Sequence, residues 1–111
     1  MNTKQQSDKL QHFRIQNAIE SIVQMIVDSQ IEKDNQKNYL KRLAKLDSKL
    51  FESLFNTKIT AMDTKYIICF AIDLDVKSIS VIFNVEPTSV HTARYRIRKK
   101  CAKDNRILAI L

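Results

Sequence analysis

The chain contains no glycine and only one proline, Pro87. Glycine is the residue that most readily adopts a positive φ, so phosphate-binding loops and tight hairpin turns are difficult to build without it. Helices need no glycine in their interiors, so the composition favours an all-α fold. The apolar fraction of 44% and the charged fraction of 28% are ordinary, which argues against both a disordered chain and a membrane protein.

Two features predict a cytoplasmic protein. The longest apolar run, residues 66–72, is far shorter than the roughly 20 residues that cross a bilayer. The polar segment 1–9 is not followed by the apolar core of a signal peptide. Cys69 and Cys101 fall at apolar helix positions without metal-ligand spacing, so reduced core thiols are favoured over a disulfide.

The positive charge is concentrated near the end of the sequence. Residues 1–87 hold twelve basic and eleven acidic residues, a net +1, whereas residues 88–111 hold seven basic and one acidic, a net +6. A clustered basic segment indicates a polyanionic partner such as nucleic acid. A solvated helix face is the alternative interpretation, and charge alone does not separate the two.

Two long amphipathic patterns occupy the first half of the chain. Apolar residues at three- and four-residue steps predict helices over about Asp8–Gln30 and Asn35–Phe55, followed by a break at 56–59. We interpret residues 1–56 as a helical hairpin, a dimerisation or sensor-linking segment. A pair of helices that associates with another subunit is the alternative.

Capping signals divide residues 57–111 into shorter helices. Thr60 and Asp63 have the spacing of a capping box, which predicts a helix ending near Ile72. Asp75 is the expected N-cap of a two-turn helix over Val76–Phe83.

A second helix is expected directly after this one. Asn84 tolerates the left-handed conformation of a helix end, and Pro87 suits the first helical position. Glu86 is then the N-cap, although a weaker one than Ser or Asp. The pattern continues to about Ala102, and Asp104 is expected to cap a last helix over 105–111.

Apolar pairs across these helix starts complete the motif. Leu74 with Ile79, and Val85 with Val90, have the spacing of hydrophobic staples. A short helix, a three-residue turn and a longer basic helix is the arrangement of a helix-turn-helix. The apolar residues expected to pack it are Ile79, Phe83, Val85, Val90 and Ile97.

Residues 76–90 and the run Arg94-Tyr-Arg-Ile-Arg-Lys-Lys100 resemble the LuxR-type helix-turn-helix of transcriptional regulators. The resemblance covers residues 57–111 and implies a four-helix DNA-binding domain after the N-terminal hairpin. The chain departs from the family pattern at several positions, with Asp73 in place of a glycine and Glu86 in place of the capping serine. The other departures are Ser78, Ser80 and Cys101.

The side chains of the helix that begins at Pro87 are assigned to the core or to DNA according to their direction around the helix axis. Val90, Ile97 and Cys101 mark the expected buried stripe. His91, Thr92 and Tyr95 lie at other angles, and the resemblance implies that these positions face DNA bases. For His91 and Tyr95 the alternative is an exposed residue without a specific role.

Phosphate contacts are assigned to the remaining polar and basic positions, because such contacts position a protein on DNA without specifying sequence. An ion pair with an acidic residue of the bundle is the alternative for Arg94, and Lys100, Lys103 and Arg106 are interpreted as solvated. The expected phosphate-contacting residues are Thr88, Ser89, Arg94, Arg96, Arg98 and Lys99.

The expected function is sequence-specific binding of double-stranded DNA by a homodimer, paired through the N-terminal helices or the last helix. RNA polymerase is a further candidate partner. A helical adaptor, or a module resembling a sigma-factor region that docks on the transcription machinery, is the alternative. No catalytic residue, metal site or cofactor is predicted, because His12 and His91 have no partner at a recognisable spacing.

Overall fold

A computed structural model describes residues 3–52, 54 and 58–111, with side chains from residue 10 onward. The described residues form an all-α globule without strands. Its elements are α1 (Thr3–Asp28), α2 (Lys33–Ala44), a 3₁₀ helix (Ser48–Phe51), α3 (Ala61–Ala71), α4 (Val76–Phe83), α5 (Pro87–Lys100) and α6 (Asn105–Ile110).

The predicted helix over Asn35–Phe55 is wrong in its second half. Helix α2 ends at Ala44, and the chain then turns into the 3₁₀ helix, where Asp47 accepts a hydrogen bond from the Lys49 amide. The turn leaves Phe51 and Leu54 almost fully buried. These apolar residues therefore pack into the core although the helix has already ended. Their spacing would fit a single straight helix equally well, so the sequence pattern did not indicate the turn. Residues 55–57 lie outside the described part of the chain.

The predicted helix starts in the second half are confirmed. Thr60 and Asp63 form both hydrogen bonds of a capping box, and Asp75 accepts a hydrogen bond from the Ser78 amide at the start of α4. Asp104 accepts from two amides of α6. These caps are local interactions between residues two or three positions apart, which is why sequence spacing could predict them.

Two helix ends use non-glycine residues in the left-handed region. Asp73, at the end of α3, has φ 63°, and Asn84, at the end of α4, has φ 54°. In each case the next amide donates to a carbonyl five residues earlier, Leu74 to Cys69 and Val85 to Ser80. This is the Schellman arrangement that glycine usually completes. Asp73 and Asn84 thus complete this arrangement without glycine.

One hydrophobic core joins the two halves of the chain. Helix α1 packs against both α2 and α3, and its Ile22 and Ile26 are fully buried together with Ile67, Ile79 and Ile97 of the later helices. Helix α4 packs chiefly against α5. None of the described helices is long and apolar enough to cross a membrane.

Candidate nucleic-acid interface

Helix α5 is fixed by one apolar stripe. Val90, Ala93 and Ile97 are at most 4% exposed, and Cys101, which follows the helix, is also buried. The stripe was predicted from its three- and four-residue spacing, apart from Ala93. Because one side of α5 faces the core, its opposite side projects into solvent along the whole helix.

The solvent side of α5 carries a polar row. Thr88, Thr92, Tyr95 and Lys99 follow one another at steps of four, three and four residues, and all four are exposed. Such spacing places them on one face. The Thr92 hydroxyl donates to the Thr88 carbonyl at 2.9 Å, and the Lys99 ammonium lies 4.6 Å from the centre of the Tyr95 ring.

These contacts define what the row can offer a ligand. With its proton donated to the backbone, Thr92 presents a methyl group and the acceptor side of its hydroxyl. Tyr95 is 63% exposed and keeps its hydroxyl for an outside partner. Lys99 adds a cation above the ring. The row therefore combines hydrogen-bonding groups with positive charge.

The other predicted contacts flank the row. His91 and Arg98 are exposed on one side of it, and Ser89 and Arg96 on the other. The described structure thus brings His91, Thr92 and Tyr95, the expected base-contacting residues, onto one exposed surface of α5. The exposed basic residues Arg98 and Lys99 lie near its end.

A buried carboxylate lies behind one flank. Asp63 of α3 is completely buried, and its Oδ1 accepts a hydrogen bond from the Arg96 Nη2 atom at 2.8 Å. Its Oδ2 accepts from the Lys100 Nζ atom at 2.6 Å and from the Thr60 amide at 3.1 Å. Arg96 and Lys100 are one helical turn apart, so both reach the same carboxylate.

The cations around Asp63 keep it ionised. Burial by itself raises the pKa of the carboxyl group, but the hydrogen bonds from Lys100, the Thr60 amide and Arg96 together outweigh it. The pKa falls from 3.8 to about 2. Asp63 therefore carries a full negative charge at neutral pH, balanced by two positive charges on α5.

This cluster was not predicted from the sequence. Asp63 was identified only as a helix cap, and Lys100 was interpreted as solvated, whereas its side chain is 27% exposed and bound to Asp63. The available signal was the i, i+4 spacing of Arg96 and Lys100, which suits two cations that share one anion. The partner across 33 residues had no local signature.

Arg94 makes a tertiary contact that the sequence did not predict. Its guanidinium carbon lies 5.2 Å from the centre of the Phe70 ring, and the residue is half-buried beside the core stripe. The ion pair with an acidic residue of the bundle, proposed as an alternative for Arg94, is instead made by Arg96. A guanidinium stacked on a ring keeps its charge, but its position is set by α3.

The turn before α5 also departs from the prediction in part. Glu86 occupies the N-cap position, but its side chain makes no capping hydrogen bond. Val90 is buried as expected, whereas Val85, its predicted staple partner, is 37% exposed. Asn84 ends α4 in the left-handed conformation and Pro87 begins α5, so the three-residue turn itself is confirmed.

Basic side chains continue past the end of α5. The lining of a cavity of about 580 Å³ between α5 and α6 includes four basic residues, Lys99, Lys100, Lys103 and Arg106, and one acidic residue, Asp104. Lys103 and Arg106 are exposed. The positive surface thus extends from the polar row to the start of α6.

Other chemistry is not evident in the described part of the chain. Cys69 and Cys101 are reduced and buried, and burial raises the pKa of the Cys69 thiol to about 12. No group of three His, Cys, Asp or Glu side chains is placed to hold a metal ion among the described residues. No protein-family model, curated protein or solved structure matches the chain.

Proposed function

We propose that this protein binds double-stranded DNA as a transcriptional regulator, with α4, the turn and α5 acting as a helix-turn-helix. In this proposal α5 enters the major groove, and residues 57–111 form a four-helix DNA-binding region resembling the LuxR type. The N-terminal helices serve dimerisation or sensor linkage. The role is one of binding and not of catalysis.

The observation that carries the proposal is the exposed face of α5. Hydrogen-bonding side chains lie in its first half and cations in its second half, on a helix whose opposite side is buried. A major groove about 12 Å wide admits one helix, whose side chains then reach base edges and phosphates. His91, Thr92 and Tyr95 are the proposed base contacts.

The phosphate contacts are proposed for the flanks and the end of the row. Arg98 and Lys99 are exposed, and Arg96 is half-exposed beside its ion pair. Thr88 and Ser89 at the start of α5 present hydroxyl groups to the same surface. Arg94 is the least accessible of the predicted contacts because it is half-buried against Phe70.

We propose that α1 supplies the dimer contact. Leu10 and Phe13 are 51% and 61% exposed on α1, whereas Ile107 and Leu111 at the end of the chain are buried in the core. An exposed apolar strip on a long helix is suited to pairing with a second copy. Light scattering of Phe13→Glu against the wild-type protein tests this contact.

Fluorescence anisotropy with a labelled random duplex tests DNA binding. At 0.1 M salt, each phosphate contact contributes about eightfold to affinity, so Arg98→Ala with Lys99→Ala should weaken binding roughly 50-fold for each bound chain. The slope of log K against log salt should fall in magnitude by about 2 for each bound chain. The control is Lys33→Ala with Lys37→Ala, an equal loss of charge on exposed positions of α2.

The two double variants separate local contact from overall charge. An equal loss of affinity in both variants would show that DNA binding depends only on the net charge of the protein. An unchanged affinity and slope in the α5 variant would refute phosphate binding by this helix.

A second candidate is docking on a protein of the transcription machinery. Val81 and Val85 are 40% and 37% exposed, and both line a cavity of about 690 Å³ between the end of α1 and α4. Most of the other residues that line this cavity are polar, so Val81 and Val85 are isolated exposed apolar side chains on a surface separate from the polar row of α5. An absence of salt-sensitive DNA binding at micromolar protein would favour the adaptor.

A further inference from the structure

The Asp63 cluster places one arginine between the core and the proposed DNA surface. One edge of the Arg96 guanidinium, through Nη2, is bonded to Asp63, while the side chain as a whole is 49% exposed. A guanidinium carries five N–H donors in a rigid plane. The donors that do not face Asp63 therefore remain available on the solvent side, in an orientation fixed by the buried carboxylate.

Asp63 itself is held by more than this pair. Its capping-box bonds with Thr60 fix it at the start of α3, and Lys100 binds its second oxygen. Because the carboxylate is completely buried, it cannot follow a moving arginine into solvent. The carboxylate is thus a fixed point from which Arg96 extends outward.

We propose that Asp63 is a positioning residue for DNA, which orients Arg96 so that its outer N–H groups bind one backbone phosphate. The proposal rests on the DNA-binding function proposed above. A guanidinium directed in advance loses less side-chain freedom when it binds phosphate, and its planar fork suits two parallel hydrogen bonds. Lys100, which is 27% exposed, completes the charge balance around the carboxylate.

Simple electrostatics makes the opposite prediction, which allows a sharp test. Asp63 is an anion close to a surface that binds a polyanion, so its removal raises the net charge by one. On charge alone, Asp63→Asn should bind DNA more tightly and with a steeper salt dependence. If Asp63 positions Arg96, the same variant should bind about five- to tenfold more weakly.

The experiment measures random-duplex affinity by anisotropy for wild type, Asp63→Asn, Arg96→Ala and the double variant. Circular dichroism first sets a temperature at which each protein is folded. We expect Asp63→Asn and Arg96→Ala each to weaken binding about five- to tenfold, with little further loss in the double variant. Tighter or unchanged binding by folded Asp63→Asn would overturn the proposal.

A second variant keeps the test independent of any change in folding. Arg96→Lys preserves the charge but not the planar fork, and it should lose severalfold in affinity. Lys100→Ala is the matched control, since it removes a partner of Asp63 that is not proposed to touch DNA. Its loss of DNA affinity should be smaller than that of Arg96→Ala. Wild-type affinity for Arg96→Lys would also overturn the positioning role.

The same measurements distinguish this proposal from the function on which it rests. If wild type binds DNA and Arg98→Ala with Lys99→Ala weakens it, but the Asp63 variant does not, only the positioning role fails. If the wild-type protein shows no salt-sensitive binding to duplex DNA, both proposals fail together.

Discussion

The two sides of α5 hold their polar residues in different ways. On one flank, Arg96 and Lys100 are bonded to a buried carboxylate that belongs to α3. On the solvent face, Thr92 and Lys99 are held only by neighbours on α5 itself, the Thr88 carbonyl and the Tyr95 ring. The flank residues therefore take part in the packing of α5 against α3, whereas the face residues contact only α5 itself. Substitutions on the flank should change both stability and binding, and substitutions on the face should change binding alone.

The largest expected effect is on folding. Asp63→Ala should lower the free energy of unfolding by about 3 kcal/mol, because it removes a helix cap and the charged hydrogen-bond partner of Arg96 and Lys100. Lys99→Ala, on the solvent face, should stay within about 0.5 kcal/mol of wild type. Urea unfolding followed by circular dichroism measures both. A similar small loss in the two variants would remove the distinction between flank and face.

The stability of the protein should depend on pH through the Asp63 carboxylate. The pKa of Asp63 is about 2 in the folded protein against an ordinary value of 3.8, so its charge stabilises the fold fully above about pH 4. That contribution, about 2 kcal/mol, is lost as pH falls from about 4 to 2. Asp75, whose pKa is also lowered by its bonds with Ser78, adds a contribution of the same sign.

Urea midpoints between pH 2 and pH 5 measure this loss. In Asp63→Asn the slope should be shallower, with the remaining dependence due to Asp75 and other carboxylates. An identical pH profile in the variant and wild type would contradict the assignment of the low pKa to Asp63.

Local signals predicted the second half of the fold well. The N-caps Thr60 and Asp75, the left-handed Asn84 and the proline at the start of α5 all act within one helical turn, so sequence spacing defines them. Helix α4 was predicted with its observed bounds, Val76–Phe83. The glycine-free composition correctly indicated helices, and Asp73 and Asn84 show how two left-handed turns form without glycine.

The features that the sequence did not predict depend on contacts between residues far apart in the chain. The leucines on either side of Ser48 have the spacing of one continuous helix, whereas the chain turns between Ala44 and Ser48 and buries Phe51 and Leu54 in the core. Val85 has the spacing of a staple residue but is left partly exposed. The polar face of α5 followed from helical periodicity, whereas the pairing of Asp63 with Arg96 depends on how α3 and α5 meet.

Substitutions on the solvent face should alter sequence preference and leave folding intact. Tyr95→Ala or Thr92→Ala should change discrimination between a selected duplex and its single-base variants by about 1–2 kcal/mol. Arg98→Ala should weaken binding to all of them alike. Competition titrations on a panel of duplexes measure this. Uniform weakening by the Tyr95 and Thr92 variants would show that these residues do not contact bases.

The smallest expected effect concerns the start of α5. Glu86 is an N-cap without a capping bond, and it places a negative charge beside the proposed interface. Glu86→Ser should raise stability by about 1 kcal/mol through a new cap and increase DNA affinity severalfold. Glu86→Gln is the matched control, since it removes the charge without supplying a good cap. If the serine variant gains neither stability nor affinity, the N-cap assignment is unsupported.

The central claim is that the exposed cations of α5 bind DNA phosphates. The most direct measurement is the dissociation constant of the wild-type protein on random duplex DNA between 50 and 200 mM salt. Three contacts from Arg96, Arg98 and Lys99 predict that the logarithm of the association constant falls against the logarithm of salt with a slope near −3 for each bound chain. Binding is then about 40-fold weaker per chain at the higher salt, and a dimer with both α5 helices bound should show about twice that slope. A flat dependence on salt, or no binding at micromolar protein in 50 mM salt, would contradict the account.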